Sequence, residues 1–390
     1  MRQAIIKGDL SVSFEPDAAT PEPREDEVII CAVYAGINPI DWKGAQEADA
    51  VALHGELKNP LHRAAGKDFA GCVYAVGPNV HNFRVGDRVT AVNHSSGFAE
   101  YSVGPVYTTA LLPPHVSFAE ASTFGLAFIT AALGVFKNRP LPTPWNPAPR
   151  DSKHPIIVYG ASSAVGAFAV KLASLANLHP IIAIAGQSGD VVKSILDPKK
   201  GDMFLDYRQG PEKLIQRIRS TPEDIHFAFD AICGEGTSEL LCQVLHPENS
   251  YLGRSLGLVE SVTKIPQNID CQVAFAPGLW EPNDPDGPDG ENSPNVGPRA
   301  FATVAFAYLT FALENKLIQG HPYEVLSNGL EGLSAALKAV KAGKNKGVKY
   351  VCEIAATPGF IDVVKRSPQG LTGVQGTRSE GRKEDRIARQ

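Results

Sequence analysis

The segment IIVYGASSAVGAFAVKLA at 156–173 runs from four apolar residues through glycine and small residues into an apolar helical pattern. A strand that turns tightly into a helix through such residues aims backbone N–H groups and the positive end of the helix dipole at a pyrophosphate. Small side chains are required there because larger ones would hold the phosphates away. The match to G-x-G-x-x-G is imperfect: Ala161 and Ser163 stand at the first two glycine positions, and Gly166 alone remains. The flanking strands make this a dinucleotide loop in expectation, since a small-residue turn by itself is weak evidence.

The other end of such a cofactor is read from the next strand. A chain that binds NAD places Asp or Glu about 20 residues beyond the loop to hold the ribose hydroxyls. Here the strand 181–185 ends in Ala185, Gly186, Gln187 and Ser188. No carboxylate stands at the strand end to repel a 2′-phosphate, while Ser188, Lys193, Tyr207 and Arg208 offer donors. The expected cofactor is therefore NADPH. Asp190 argues the other way if a one-turn shift carries it toward the ribose.

These residues need a scaffold, and the surrounding pattern supplies one. From 155 to about 260, apolar strands at 156–159, 181–185, MFLDY, HFAFDAI and YLGRSLGLV alternate with helical stretches such as PEKLIQRIRS. Regular β-α alternation gives a doubly wound parallel sheet. Residues 1 to about 115 read differently. EVIICAVYAGI, FAGCVYAVG and GDRVTAV are short, β-branched runs bounded by turn residues, as in a compact β domain. FATVAFAYLTFALENKLIQG and GLSAALKAVKAGKN read as helices and VKYVCEI as a last strand. RPLPTPWNPAPRDSKHP at 139–155 reads as a Pro-rich connection, and 281–299 as an exposed loop unable to pack a core. The polar tail over 361–390 is expected to be disordered.

Composition bounds the rest. The chain has 390 residues, enough for two domains, and 43% are apolar, enough for a sizeable core. Lys and Arg total 37 against 42 Asp and Glu, a formal net charge of −5, which gives no electrostatic case for nucleic acid or an anionic membrane. The six cysteines are far apart, form no C-x-x-C pair, and read as buried thiols of a reducing compartment. Uncharged runs such as 121–136 fall short of a spanning helix. A cytoplasmic protein is expected, monomer or homodimer.

GINPIDWK at 36–43, GKDFAGCVYAVGPNVHNFRVGDRV at 66–89, GFAEY at 97–101, the Gly160–Gly166 loop and FLDYR at 204–208 together carry a resemblance. The chain resembles the medium-chain dehydrogenase/reductase superfamily in its zinc-less, quinone-reductase-like branch, close to fungal trans-acting enoyl reductases that serve polyketide synthases. The resemblance implies an α/β chain with a GroES-like β domain at 1–125, a Rossmann NADP-binding domain at 126–320, a return to the GroES-like domain at 321–360, and an active site between them. Zinc enzymes of the superfamily hold a Cys where this chain has Asn38, a His-Glu pair at Lys67 and Asp68, and a further Cys or Asp near Leu126. An amide, an ammonium and an aliphatic side chain are poor zinc ligands. The spacing of His54, His62, His81 and His94 fits no ligand pattern, so no metal site is expected.

The same resemblance places Asn38, Pro39, Ile40 and Asp41 beside the nicotinamide and Ser162, Ser163, Ala164 and Val165 at the pyrophosphate. It sets Ser188 and Tyr207 at the 2′-phosphate, and Lys346 with Gly347 near the nicotinamide ribose. The acyl pocket would be lined by Phe124, Gly125, Leu126, Ala127, Phe128, Ile129, Thr130 and Ala131, and by Phe275, Ala276, Pro277 and Gly278. Phe124, Phe128 and Phe275 can equally be core, and Asp41 a helix cap. No residue stands out as the proton donor, with Lys43, Tyr34 and Thr130 conceivable. Without a Lewis acid, hydride from NADPH suits an already electrophilic carbon. That leaves an enoyl or enone reductase, acting on a small-molecule or carrier-bound unsaturated acyl substrate with a polyketide synthase as partner. A quinone reductase and an inactive NADPH-binding protein are the alternatives.

Overall fold

The structure, a computed structural model, describes residues 1–53, 65–94, 96–255, 265–280 and 297–360, and only the backbone of 47–53. His54, His62, the stretch 281–296 and the tail from 361 lie outside the described residues, so the expectations placed on them are not addressed by it.

The chain opens with β1 (Gln3–Ile6), β2 (Val12–Glu15), β3 (Glu27–Gly36), helix α1 (Pro39–Leu53), β4 (Asp68–Val76), β5 (Arg88–Val92), β6 (Tyr101–Pro105), β7 (Thr109–Leu111), and helices α2 (Phe118–Ala121) and α3 (Gly125–Phe136). An alternating region follows: β8 (Ile156–Tyr159), α4 (Ala164–Leu175), β9 (Ile181–Ala185), α5 (Asp190–Lys193), β10 (Met203–Asp206), α6 (Pro211–Arg219), β11 (Phe227–Asp230), α7 (Thr237–Val244), β12 (Ser250–Arg254) and β13 (Ile269–Val273). The last elements are α8 (Pro298–Glu314), β14 (Tyr323–Val325), α9 (Leu333–Lys341) and β15 (Lys349–Glu353).

Six parallel strands form one sheet in the order β10-β9-β8-β11-β12-β13. The order of winding reverses between β8 and β11, and in such sheets the crevice beyond the carboxyl ends of the strands at that reversal takes the ligand. Registers Tyr159↔Ile184 and Tyr159↔Asp230 bring three strand ends level, so the turns after β8, β9 and β11 share one rim. β13 was not legible as a strand: only Ile269 of its five residues is buried, so it lacks the apolar alternation that marks a strand.

The second sheet runs β14-β15-β3-β4-β5-β7, with β6 also on β3. Its ladders are antiparallel except β14 with β15. β15 lies against the end of β3 through Val351↔Gly36, Cys352↔Ala35 and Glu353↔Tyr34, returning the chain to its first sheet. Val28 through Ala32 of β3 are buried, as the β-branched run predicts. The protein is thus α/β, a mixed antiparallel unit beside a doubly wound parallel one.

Helix α3 joins the two units. It is apolar all round and 11 of its 12 residues are buried, so it is a core helix. The stretch Phe118–Phe136 is long and apolar enough to cross a membrane, but 83% of it is buried within the fold. The Pro-rich connection is also more than surface: Trp145 sets its ring 5.7 Å from Phe301 and 6.0 Å from Tyr308.

Candidate active site

The turn after β8 is built by three devices. Gly160 adopts φ +75°, a conformation that favours glycine, and redirects the chain out of the sheet. Ser163 caps α4, its hydroxyl accepting from the Gly166 N–H at 3.0 Å. A Cβ on Gly166 would overlap the Gly160 carbonyl oxygen, so this glycine lets the helix close on the strand. Ala161 and Gly166 are buried inside the turn, whereas Ser162, Ser163, Ala164 and Val165 are half-buried. The amides of Ala164 and Val165 lie in the first helical turn, where N–H groups have no intrahelical acceptor. This donor set fits a pyrophosphate.

At the far rim, a Cβ on Gly186 would sit 3.0 Å from the Tyr207 hydroxyl, so Tyr207 lies over the glycine that ends β9. A Cβ on Gly347 would come 2.6 Å from the Ser188 Cβ. Ser188, Tyr207 and the Lys346–Gly347 turn therefore gather at one end of the crevice, next to β9. Lys346 and Gly347, expected near the nicotinamide ribose, lie in the turn before β15, which reaches across to Ser188 and to Val191 of α5. Two expected donors are engaged locally: Arg208 Nε donates to Asp206 at 2.9 Å, and Lys193 Nζ to Asp190 at 2.8 Å. The Asp190 carboxylate is 87% exposed and paired with Lys193.

Asn38, Asp68 and Lys349 meet in the interior of the mixed unit. Lys349 Nζ donates to Asn38 Oδ1 at 3.0 Å and forms a short ion pair with Asp68. Asp68 also accepts from Asn38 Nδ2 at 3.0 Å and from the Leu126 N–H at 2.6 Å. All three side chains are buried. Asn38 and Asp68, two of the positions to which the resemblance assigns zinc-site residues, are thus tied to one another and to the Lys349 ammonium. Lys349 was missed in the sequence, and the available signal was a lysine in an inward position of the alternating strand VKYVCEI.

Asp41 occupies the third position of α1, and its Oδ2 accepts from the Asn38 N–H at 2.7 Å, one half of a capping box at the helix start. Its Oδ1 is buried without a partner. Burial pushes this carboxyl up to about 6, with Lys67 the strongest opposing influence. Pro39 is exposed and Ile40 half-buried beside it.

The expected pocket wall at 124–131 is largely core. Phe124 and Phe128 are fully buried, with ring centroids 5.2 and 6.2 Å from Phe168, and Phe128 also meets Phe306 at 5.7 Å. Gly125, Ala127, Ile129, Thr130 and Ala131 are buried in the same helix, and only Leu126 keeps partial exposure. A helix apolar on every face packs on every face, which is why the stretch belongs to the core. The second wall is more open: Phe275 is 45% exposed, Pro277 and Gly278 are half-buried and Ala276 is buried. The carbonyl of Leu279 receives hydrogen bonds from Tyr107 Oη at 3.0 Å and Arg299 Nε at 2.8 Å, which pin this segment to the mixed unit.

Of the conceivable proton donors, Tyr34 Oη donates to Glu353 at 3.1 Å and its phenol is pushed up to about 12, by burial first and the Glu353 charge second. Lys43 lies 5.8 Å from the Trp42 ring centroid, and Thr130 is inside α3.

Residues 24–120 match the alcohol dehydrogenase GroES-like domain family. The trans-enoyl reductase fsr4 of Gibberella fujikuroi is 32% identical over 340 residues, covering 85% of this chain and 92% of its own. The chain belongs to the medium-chain dehydrogenase/reductase family. Within it, the chain lies close to fungal trans-enoyl reductases; fsa3 of a Fusarium species is 29% identical, covering 85% of this chain and 92% of its own. Among solved structures, the CurK enoyl reductase aligns with a TM-score of 0.68 at 20% identity, over 90% of this chain and 98% of its own. The quinone oxidoreductase of Coxiella burnetii aligns at 0.62 and 17%, over 90% and 99%. These two likenesses concern the fold. As a medium-chain dehydrogenase/reductase the protein is an oxidoreductase that uses a pyridine nucleotide.

Proposed function

We propose that the protein is a zinc-independent, NADPH-dependent enoyl reductase that delivers hydride to the activated C=C of an unsaturated acyl substrate, acting in trans on chains carried by a polyketide synthase. The observation that carries this reading is the Asn38–Asp68–Lys349 cluster. In it Asn38 and Asp68, two of the positions to which the family resemblance assigns zinc-site residues, are already engaged with the buried Lys349 ammonium, which supports a metal-free reading. Such a centre offers no open coordination position to polarise an alcohol, and suits a substrate whose β-carbon is electrophilic at the outset. The names of the trans-enoyl reductase relatives support the substrate class and the synthase partner.

A bound reduced nicotinamide supplies the hydride. The rest falls to the chain's own groups. The Ser162–Val165 turn would anchor the pyrophosphate, Ser188 and Tyr207 would donate to the 2′-phosphate, and the Asn38–Asp41 turn would border the nicotinamide. Phe275 to Gly278, held through Leu279 by Tyr107 and Arg299, would wall the acyl chain. Positioning of this kind supplies much of the rate when charge moves from a β-carbon to a carbonyl oxygen.

The test is a substrate panel followed by absorbance loss of the nicotinamide band, using simple enones, quinones and enoyl thioesters with NADPH and with NADH. Oxidation of NADPH by enoyl thioesters, in preference to NADH, is the expected outcome. Turnover with quinones alone, or nucleotide binding with no turnover, would contradict the reading.

A further inference from the structure

We propose that Lys67 is the proton donor of the reaction, delivering a proton to the substrate α-carbon once hydride has reached the β-carbon. The assignment rests on the enoyl reductase reading above and names the residue that completes it.

Lys67 is held firmly. Gly66 before it adopts φ +93°, Asp68 after it begins β4, and its own carbonyl accepts from the Asn93 N–H at 3.1 Å. The Gly97 N–H closes the same turn on the Gly66 carbonyl at 3.0 Å. The Lys67 side chain is half-buried and donates to the carbonyl of His94. An ammonium carries three N–H donors, so this bond orients the group without consuming it. The His94 ring in turn meets Trp280 edge-on, with centroids 6.2 Å apart, immediately beyond the segment 275–279. Lys67 thereby stands on the mixed unit at its seam with the acyl-wall segment of the parallel unit.

The Trp280 indole nitrogen, whose ring meets His94 at this seam, is buried without a partner. Orphaned polar groups at this depth cost about 1–3 kcal/mol each unless something meets them, and a polar acyl head group would do so. Asp41 and Asp68 are the acidic groups that act on Lys67, with Lys349 paired to Asp68 behind them. Burial holds the Lys67 ammonium below the usual lysine range, against the opposing pull of Asp41 and then Asp68. A desolvated ammonium gives up its proton more readily than an exposed one.

The step balances. A hydride from the reduced nicotinamide forms the β-carbon C–H bond, and the π pair moves onto the thioester oxygen as an enolate. The enolate then collapses, its α-carbon takes a proton from Lys67, and the N–H bond electrons remain on a neutral amine that solvent reprotonates.

The experiment uses the full chain with NADPH and an enoyl thioester in deuterated water. In the parent, deuterium is expected at the α-carbon in one configuration, and kcat should fall as pH rises through the Lys67 pKa. Lys67→Met should lower kcat about 10²- to 10⁴-fold, scramble the α-carbon configuration and abolish that basic limb, while the folded protein keeps a nucleotide affinity close to the parent. Lys67→Arg, which keeps the charge but does not give up its proton, should stay about as slow as Lys67→Met, and recovery of the parent kcat by Lys67→Arg would overturn the assignment. A turnover-independent reading comes from the pH dependence of acetic anhydride labelling of Lys67, whose midpoint should lie below that of exposed lysines. Retained kcat with a single α-configuration in a folded Lys67→Met protein would overturn the assignment. Absence of enoyl reduction by the parent is a separate result that would overturn the functional reading and this inference with it.

Discussion

Lys349 shows how one side chain can carry a site. Its ammonium and the Asp68 carboxylate are 3% and 0% exposed, so their charges are compensated by one another and by Asn38 and the Leu126 amide. Removing one partner of such a pair strands a buried charge, which costs about 3–5 kcal/mol. Lys349→Met is therefore expected to lower the urea midpoint strongly, and adding Asp68→Asn to recover much of the loss. Equal destabilisation by the single and double variants would show that the two residues are not coupled. The residue types at Asn38, Lys67 and Leu126 were legible as poor zinc ligands, but the Lys349 partner of Asn38 and Asp68 was not. Lys349 lies 281 positions from Asp68 and 311 from Asn38, a separation at which nothing local in the chain signals contact.

At the scale of elements, the β8–α4 turn is the part of the site most legible in the sequence. The apolar strand, small turn residues and apolar helix, set among alternating strands and helices, pointed to this turn, and the structure forms it capped and glycine-closed. Gly166→Ala should separate α4 from β8, because its Cβ meets a backbone carbonyl that cannot rotate away. A fall in NADPH affinity of roughly tenfold or more, about 1.4 kcal/mol, is expected by fluorescence titration. Gly44 in α1 is the control: nothing lies within 4 Å of its Cβ, so Gly44→Ala should add about 0.5–1 kcal/mol of stability without touching affinity. Unchanged affinity in Gly166→Ala would remove this turn from the nucleotide site. The pocket wall was less legible. Periodicity marks 124–136 as an apolar helix but gives no direction for the neighbours, and here α4 and the parallel sheet's other helices surround it, which makes Phe124 and Phe128 core.

Across the whole molecule, topology brings distant segments to one crevice. The reversal between β8 and β11 opens the rim, the turn before β15 brings Gly347 to it beside Ser188, and the Leu279 carbonyl, bonded by Tyr107 and Arg299, ties the two units together. The alternation of strands and helices was legible because each buried strand is a dense apolar run. The edge strand β13 was not, since a strand buried at one residue leaves no pattern. The central claim is hydride delivery from a reduced nicotinamide to an activated double bond in this crevice. Its most direct measurement is the fate of label from NADPH deuterated at the transferable position, with an enoyl thioester as acceptor and mass spectrometry and NMR of the product. The account predicts one deuterium at the β-carbon of a saturated thioester. Deuterium absent from that carbon, or transferred only to a quinone, would contradict it.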